Sequence, residues 1–305
     1  MTWVVATEAE HAVEAGVTGG FWVDTAGIML VLPLIAFLLI LAVGKRMKYH
    51  GAEIAIGALA INSLWGTVLF VMNMTEGVLA QKTFEIARIG SDLVFELGWA
   101  VDGLSIMMYF LVNVVGLIVF IYAVGYMKDD IRVDWFFAAF SLFAGSMLIL
   151  VGAPNLIQLI IGWEGVGLAS YFLIGFYWED MANVNAGNKA FMVNKVADVG
   201  LILGAIILGL AIGTFDFFDM STAAFDHSEP LGAVAVVGGA LLFFGAMGKS
   251  AQFPLHIWLP DAMAGPTPVS ALMHAATMVT AGVYLMGRVF PLFEYLASDI
   301  RPWMV

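Results

Sequence analysis

Charged side chains lie inside segments of this sequence that are otherwise long and apolar. Glu164 falls in the stretch 155–176, and Lys249 directly follows the apolar stretch 232–248. A charge near the centre of a lipid bilayer costs about 2.5–3.5 kcal/mol on insertion scales. Such residues are usually kept because they move ions or protons. These two positions therefore indicate a chain that takes part in ion translocation across a membrane.

Two further ionisable residues, Lys195 and Asp198, are three positions apart, so they share one face of a helix and can pair. A Glu–Lys contact at about 4 Å is worth about 4 kcal/mol at an effective dielectric constant of about 20. Moving one charge through about 100 mV costs about 2.3 kcal/mol. An ion pair that alternates between partners therefore has enough free energy to move a proton against a membrane potential. The alternative is a set of fixed ion pairs that tie three helices together.

His274 is surrounded by small residues, with Thr277 and Thr280 at helical spacing. Imidazole titrates near neutrality and can donate and accept at once, as a proton relay requires. A histidine in such a helix is also often a hydrogen-bonded packing residue, and the chemistry alone leaves both interpretations open. Asp102 and Asp261, near the ends of apolar segments, are predicted to cap helices.

The composition is that of a polytopic membrane protein. Hydrophobic residues make up 62% of the 305-residue chain and charged residues 12%, whereas soluble domains carry about 25% charged residues. The absence of cysteine excludes Cys-ligated iron–sulfur clusters and disulfides. The sequence has no nucleotide fingerprint, zinc spacing or nucleophile triad, so we expect no cofactor and no metal in this chain. The net charge of −12 argues against nucleic acid as a partner.

The predicted fold is an all-α bundle of about eight transmembrane helices. Each apolar stretch reaches the roughly 17–20 residues that cross a bilayer core of about 30 Å. The stretch 232–263 is too long for one straight helix, and Pro254 in its middle predicts a broken helix. Broken membrane helices are tolerated where they are buried in protein or line a hydrated cavity. The predicted spans are 27–44, 53–74, 103–126, 134–152, 155–176, 187–212, 232–263 and 267–290.

The segments outside the spans predict the orientation of the chain. Residues 1–25 form an acidic tail without Lys or Arg, which suits the non-cytoplasmic side. Basic residues are more frequent in the alternate loops that would then face the cytoplasm, as the positive-inside rule requires. Those loops carry Lys45, Arg46, Lys48, Lys128, Arg132 and Lys189, and the external loops carry Lys82 and Arg88.

The external segment 75–102 is too polar to span the membrane. Its alternating apolar and polar residues are typical of a short hairpin. A structured surface loop is nevertheless the favoured interpretation.

Three motifs resemble one known family. GWEGVGLASYFLIGFY (162–177), NKAFMVNKVADVGL (188–201) and GKSAQFPLHIWLPDAMAGPTPVSALMHAATMVTAGVYL (248–285) are similar to the large antiporter-like, L-type membrane subunit of respiratory complex I, NADH:quinone oxidoreductase. The resemblance implies an antiporter-like bundle of two inverted five-helix repeats, each with one broken helix. It also implies roles for five residues: Glu164 and Lys249 form a proton-input switch, Lys195 and Asp198 modulate it, and His274 relays protons toward the membrane centre.

The same resemblance implies a division of the chain. Residues 26–126 would hold the first three helices, and residues 127–290 the first half-channel. Members of the family are about twice as long, so the second repeat would be absent after an interrupted end at 291–305. Such a chain would not pump alone unless another chain supplied the rest.

The function implied by the resemblance is proton translocation coupled to quinone reduction in partner chains. The partners would be other complex I membrane subunits and the peripheral redox arm, which would carry NADH, FMN, iron–sulfur clusters and quinone. The chain would lie in an energy-transducing membrane, such as a bacterial or archaeal plasma membrane. The alternative is the large subunit of a Mrp-type cation/proton antiporter or of a related bicarbonate-uptake complex. A purely structural membrane scaffold is a third interpretation, but it gives the buried lysines no purpose.

Overall fold

The structure, a computed structural model, describes residues 19–89, 93–226 and 233–295. Within these ranges seven helices are long and apolar enough to cross a membrane, and an eighth apolar helix has 17 residues. The predicted bundle of about eight apolar helices is therefore confirmed. In chain order they are α1 Gly27–Val43, α2 Ala52–Thr75, α3 Gly103–Tyr126, α4 Val133–Val151, α5 Leu156–Ile174, α6 Met181–Ile212, α7 Ala233–Lys249 and α8 Thr267–Arg288.

Short elements complete the described chain. Three short helices are Phe21–Asp24, Phe217–Asp226 and Phe290–Tyr295, and three 3₁₀ turns are Gly44–Arg46, Leu255–Trp258 and Asp261–Ala264. Most of the predicted acidic tail, with Glu8, Glu10 and Glu14, lies outside the described residues. Residues 296–305 of the predicted end lie outside them as well.

Helix α4 lies at the centre of the bundle because it is apolar on every side. Phe136, Phe137, Phe140 and Phe143 are all fully buried. The Phe140 ring stacks on Phe120 of α3, with 4.1 Å between ring centroids. A helix that is apolar all round needs neighbours on every side, and α1, α3 and α5 pack against it here. Helices α6 and α7 pack closely together at the other side of α5.

An antiparallel hairpin, β1 (Ala80–Ile89) and β2 (Leu93–Val101), connects α2 to α3. The favoured surface-loop interpretation is therefore wrong, and the period-two alternation is the correct signal for this segment. The register shifts between Glu85 and Ala87, where the pairing is irregular.

Side-chain hydrogen bonds attach β2 to the start of α5. The Gln158 amide accepts from the Gly98 N–H at 2.7 Å and donates to the Gly98 carbonyl at 2.8 Å. The Asn155 amide donates to the Glu96 carbonyl at 2.9 Å, and its oxygen caps α5 by accepting from the Gln158 N–H at 2.8 Å. The residues that begin α5 therefore also hold the hairpin.

The predicted break near Pro254 is confirmed. Helix α7 ends at Lys249, and residues 250–266 wind through short turns before α8 begins. The Ser250 hydroxyl donates to a backbone carbonyl of α8 at 2.8 Å. The Trp258 indole donates at 3.0 Å to the carbonyl of the residue before Lys249. Both bonds hold the end of α7, and Lys249 with it, inside the bundle.

Helix α8 contains a π-helical stretch, Ala271–Thr277, and His274 lies within it. The Thr277 hydroxyl donates to the Leu272 carbonyl at 2.8 Å. π-Helical turns are rare and occur frequently at functional sites. The stretch therefore separates His274 from the regular turns that follow it in α8.

The two aspartates predicted to cap helices differ. Asp102 caps α3 as predicted, because its carboxylate accepts from the Ser105 N–H at 2.8 Å. For Asp261 the prediction is wrong. Its carboxylate accepts from the Lys189 ammonium at 2.7 Å, since α6 brings that lysine alongside the turn after Pro260. No side-chain cap is present at the start of α8.

Candidate functional site

Helices α5 and α6 bring three of the predicted site residues into one ion-paired set. The Glu164 carboxylate of α5 contacts the Lys195 ammonium of α6. The Lys195 ammonium also lies 3.3 Å from Asp198 Oδ2, so the pair predicted from the three-residue spacing is present. This second contact is an ion pair and not a well-aligned hydrogen bond. Lys195 is thus shared between two carboxylates.

Lys249 is not the partner of Glu164 in this structure, and the predicted Glu164–Lys249 pair is absent. The Lys249 ammonium lies 5.6 Å from the centre of the Trp163 ring and faces Gly167. Trp163 and Gly167 are four residues apart, so they share one face of α5. Glu164 is turned about 100° away from Trp163 and faces Lys195 instead. The rotation of α5 therefore decides which lysine the glutamate contacts.

The Lys249 ammonium is fully buried, and it has no hydrogen-bond partner among the described residues. Gly167 makes room for it, because a Cβ at that position would be 2.8 Å from Nζ. A buried charge without a partner is expensive, so this arrangement is one that a functional site would retain.

A small cavity of about 10 Å³ joins Lys249 to the ion-paired set. This is about the space that one water molecule requires. Asn194 is one of its lining residues, and the amide oxygen of Asn194 has no donor among the described residues. The cavity is lined by Gly167, Ser170, Ala190, Phe191, Asn194, Lys195, Asp198, Lys249 and Met278.

Trp163 belongs to the site, although the sequence analysis did not select it. Its fully buried indole donates to Asp198 Oδ1 at 2.6 Å. The signal in the sequence was a tryptophan next to a glutamate within an apolar helix. A buried indole N–H usually requires an acceptor, and here the acceptor is a carboxylate.

His274 lies apart from the other four residues. Its ring centroid is 6.0 Å from that of Trp258. The Trp258 indole in turn donates to the Gly248 carbonyl beside Lys249. His274 is therefore next to the end of α7, separated from it by one aromatic side chain.

A second buried charge cluster lies at the far end of α8, and the sequence analysis missed it. The Arg288 guanidinium contacts the Asp102 carboxylate, which caps α3. Arg288 also donates to the Tyr284 hydroxyl at 2.7 Å, and that hydroxyl donates to the Val151 carbonyl at 2.7 Å. We call Arg288, Asp102 and Tyr284 the Arg288 cluster, and Glu164, Lys195, Asp198 and Lys249 the Lys249 site.

Two families match this chain. Residues 153–305 match the family described as NADH:quinone oxidoreductase/Mrp antiporter, TM. Residues 87–137 match the family described as NADH-ubiquinone oxidoreductase (complex I), chain 5 N-terminus. Because the first match covers half of the chain, the chain belongs to the NADH:quinone oxidoreductase/Mrp antiporter family. The matched region 153–305 contains the whole Lys249 site and His274.

Curated relatives agree with this assignment. The chain is 42% identical over 293 residues to NAD(P)H-quinone oxidoreductase chain 5 of a Picosynechococcus species. The aligned region covers 91% of this chain and 44% of that protein. It is 50% identical over 220 residues to the protein of that name from a Synechocystis species, covering 70% of this chain and 32% of the relative. The chain thus spans less than half the length of these antiporter-like relatives.

Solved structures share the fold. A chain of the Mrp complex from Dietzia sp. is similar, with a TM-score of 0.71 and 26% identity, over 86% of this chain and 28% of that one. A chain of the archaeal membrane-bound sulfane sulfur reductase has a TM-score of 0.77 and 20% identity, over 92% and 56% respectively. The second likeness shows the fold alone. The predicted antiporter-like bundle is therefore confirmed.

Proposed function

We propose that this chain is a proton-translocating membrane subunit of an NADH:quinone oxidoreductase. The observation that carries the proposal is the fully buried Lys249 ammonium, which has no hydrogen-bond partner among the described residues and shares a cavity with an ion-paired set. The names of the curated relatives support the redox complex as its setting. Quinone reduction itself would take place in partner chains.

Proton movement in this proposal follows from partner exchange at Lys195. While Lys195 contacts both Glu164 and Asp198, Asp198 is partly neutralised, and Lys249 forms no ion pair with any described residue. When Lys195 moves fully to Glu164, Asp198 is left to attract the Lys249 ammonium across the cavity. When Lys195 returns, Lys249 loses that attraction and releases its proton. Each exchange changes the interaction free energy by about 4 kcal/mol at 4 Å, which exceeds the roughly 2.3 kcal/mol needed per charge against about 100 mV.

His274 is the proposed next acceptor. Its position supports this role, because Trp258 contacts both its ring and the backbone beside Lys249. A neutral imidazole can accept a proton at one nitrogen and donate from the other. Residues 127–290 would then form one proton half-channel.

Partner subunits are proposed at the face that carries Glu164 and Lys195. Their side chains are 32% and 31% exposed. Ile161, Leu168 and Met192 are exposed on the same two helices. A partly exposed ion pair in such a surface would face lipid at considerable cost. Another membrane subunit covering this face would remove that cost. A peripheral arm with NADH, FMN, iron–sulfur clusters and quinone would supply the free energy for proton translocation.

We also propose an orientation of the chain in the membrane and a type of membrane. The distribution of basic residues favours an N-terminus on the non-cytoplasmic side. The membrane would be an energy-transducing one, such as a bacterial or archaeal plasma membrane.

A second candidate function is the large subunit of a Mrp-type cation/proton antiporter or of a related bicarbonate-uptake complex. The likeness to a chain of the Mrp complex favours it specifically. A blue-native gel of gently solubilised membranes, stained in the gel for NADH dehydrogenase, separates the two. Co-migration with a large stained band supports the redox complex. A smaller, unstained assembly supports the antiporter, and sodium flux is then the next assay.

The test of the leading proposal uses the assembled complex with Glu164→Gln or Lys249→Ala. We expect NADH-driven proton uptake into vesicles to fall at least about tenfold, because each variant removes one charge from the exchange. The matched controls are Glu85→Gln on the hairpin and Lys128→Ala in an exposed loop, which should pump normally. Wild-type pumping in both site variants would exclude the proposed role of the Lys249 site.

A further inference from the structure

The Trp163 indole contacts two charged groups, the Asp198 carboxylate and the Lys249 ammonium. No other side chain of α5 contacts both in the described structure. Its N–H donates to Asp198 Oδ1 at 2.6 Å, and the Lys249 ammonium lies 5.6 Å from its ring centroid. A hydrogen bond to a carboxylate is about twice as strong as one between neutral groups. A cation near an indole face is also attracted by the ring quadrupole. One side chain thus holds the anion and attracts the cation.

The two oxygens of Asp198 differ in their partners. Oδ1 accepts the buried indole N–H, whereas Oδ2 has only the ion pair with Lys195 at 3.3 Å. The indole N–H belongs to a fully buried ring and holds Oδ1, whereas Oδ2 has no aligned donor among the described residues. Only Oδ2 is left to change partner.

We propose that Trp163 is a positioning residue that pins one oxygen of Asp198, so that the other oxygen alone exchanges between Lys195 and Lys249. The inference rests on the proposed proton-translocating function and deepens it. Without the indole N–H, the Asp198 carboxylate rotates freely and binds Lys195 with both oxygens. Lys249 is then left without an anion to approach, and the exchange stops.

The adjacency of Trp163 and Glu164 gives this device a further property. Glu164 contacts Lys195, while the residue before it contacts Asp198. Two consecutive residues of α5 therefore contact the two members of an ion pair, Lys195 and Asp198, which are three residues apart on α6. Lys195 can therefore follow Glu164 away from Asp198 Oδ2 while the Trp163 indole keeps its hydrogen bond to Oδ1.

The test compares three variants in the assembled complex. Trp163→Phe keeps an aromatic ring and removes the donor. Trp163→His places an imidazole N–H near the position of the indole N–H. Trp65→Phe is the matched control, because the Trp65 indole donates at 2.9 Å to the backbone carbonyl of Trp22, away from the site.

We expect Trp163→Phe to lower the initial rate of proton uptake about tenfold, as befits the loss of one charge-assisted hydrogen bond. It should also change the pH dependence of uptake. Trp163→His should recover at least half of the lost rate on a logarithmic scale. Trp65→Phe should match the wild type in rate and pH dependence, and the amount of assembled complex should be equal in all four.

Two results overturn the inference. The first is a wild-type rate and pH dependence in Trp163→Phe. The second is an equal loss in the Phe and His variants, which would assign the effect to ring volume. If Trp163→Phe does not assemble, the comparison of Trp163→His with wild type decides, since a His variant that assembles but loses tenfold also contradicts the inference. Failure of the proposed function is recognised separately, because Glu164→Gln and Lys249→Ala would then pump normally.

Discussion

The Arg288 cluster and the Lys249 site both place charged side chains inside the helix bundle, but they differ in how completely their buried polar atoms are paired. Arg288 donates to Asp102 and Tyr284, and Tyr284 donates onward to the Val151 carbonyl. In the Lys249 site the ammonium of Lys249 has no hydrogen-bond partner among the described residues. The guanidinium of the first cluster is paired with a carboxylate and a hydroxyl, whereas the buried ammonium of the second has no such partner among the described residues. Complete pairing makes an anchor, and incomplete pairing leaves room for exchange.

The largest effect should come from Arg288→Ala, which leaves Asp102 buried without a counter-ion. We expect the free energy of unfolding to fall by about 3–5 kcal/mol. Thermal unfolding of the solubilised protein measures this. The control is Arg88→Ala on the exposed hairpin, where loss of the Glu85 pair should leave the free energy of unfolding nearly unchanged, because both partners are in solvent. An equally small loss for Arg288→Ala would refute the role of the cluster as an anchor.

A companion variant sharpens this result. Arg288→Met combined with Asp102→Asn should recover most of the lost stability, because no unpaired charge stays buried. Asparagine also caps helices nearly as well as aspartate. If the double variant is no more stable than Arg288→Ala, the loss comes from packing and not from the unpaired carboxylate.

Tyr284→Phe should have the next largest effect. It removes the hydroxyl that donates to the Val151 carbonyl and accepts from Arg288. A buried group left unsatisfied costs about 1–3 kcal/mol, and the same unfolding measurement applies. Tyr122→Phe, at an exposed tyrosine of α3, is the control and should change little. Equal stability of the two variants would show that the cluster tolerates an unpaired group.

Gly167→Ala tests the space around Lys249. A Cβ there would be 2.8 Å from the ammonium, so the lysine must shift. We expect proton uptake to fall about threefold, which corresponds to about 0.7 kcal/mol. Gly125→Ala in α3 is the matched control, since a Cβ at that position meets no atom within 4 Å. Unchanged uptake in Gly167→Ala would mean that the position of the ammonium is not limiting.

The smallest effect on stability should come from Lys249→Met. Because no hydrogen bond is lost and a buried charge is removed, the free energy of unfolding should stay about equal to wild type or rise. Proton uptake should nevertheless be lost. A destabilisation as large as that of Arg288→Ala would show that Lys249 is firmly paired, and the contrast between the two clusters would disappear.

Local chemistry explains which features were predictable. The pairing of Lys195 with Asp198 follows from a three-residue spacing, and the broken helix follows from one proline. The hairpin was signalled by its alternation, but the polar composition of the segment also suited a loop. Each of these depends on residues close together in the chain, so the sequence alone contains the information.

Features that depend on how helices rotate and approach were not predictable. The contact of Glu164 with Lys195 in place of Lys249 depends on the rotation of α5 by about one residue. The Arg288–Asp102 pair joins residues 186 positions apart, and no local pattern announces it. The hydrogen bond from Trp163 to Asp198 depends on the same rotation, and it joins residues 35 positions apart.

The hydrogen bonds between the hairpin and the start of α5 have a practical consequence. The Gln158 and Asn155 side chains form hydrogen bonds with the backbone of Gly98 and Glu96 in β2. The same helix, α5, carries Trp163 and Glu164 further along. The strands lie outside the apolar spans, where a nanobody or a fluorescent label can reach them. A ligand bound to the hairpin would therefore be attached, through these hydrogen bonds, to the helix that carries Trp163 and Glu164.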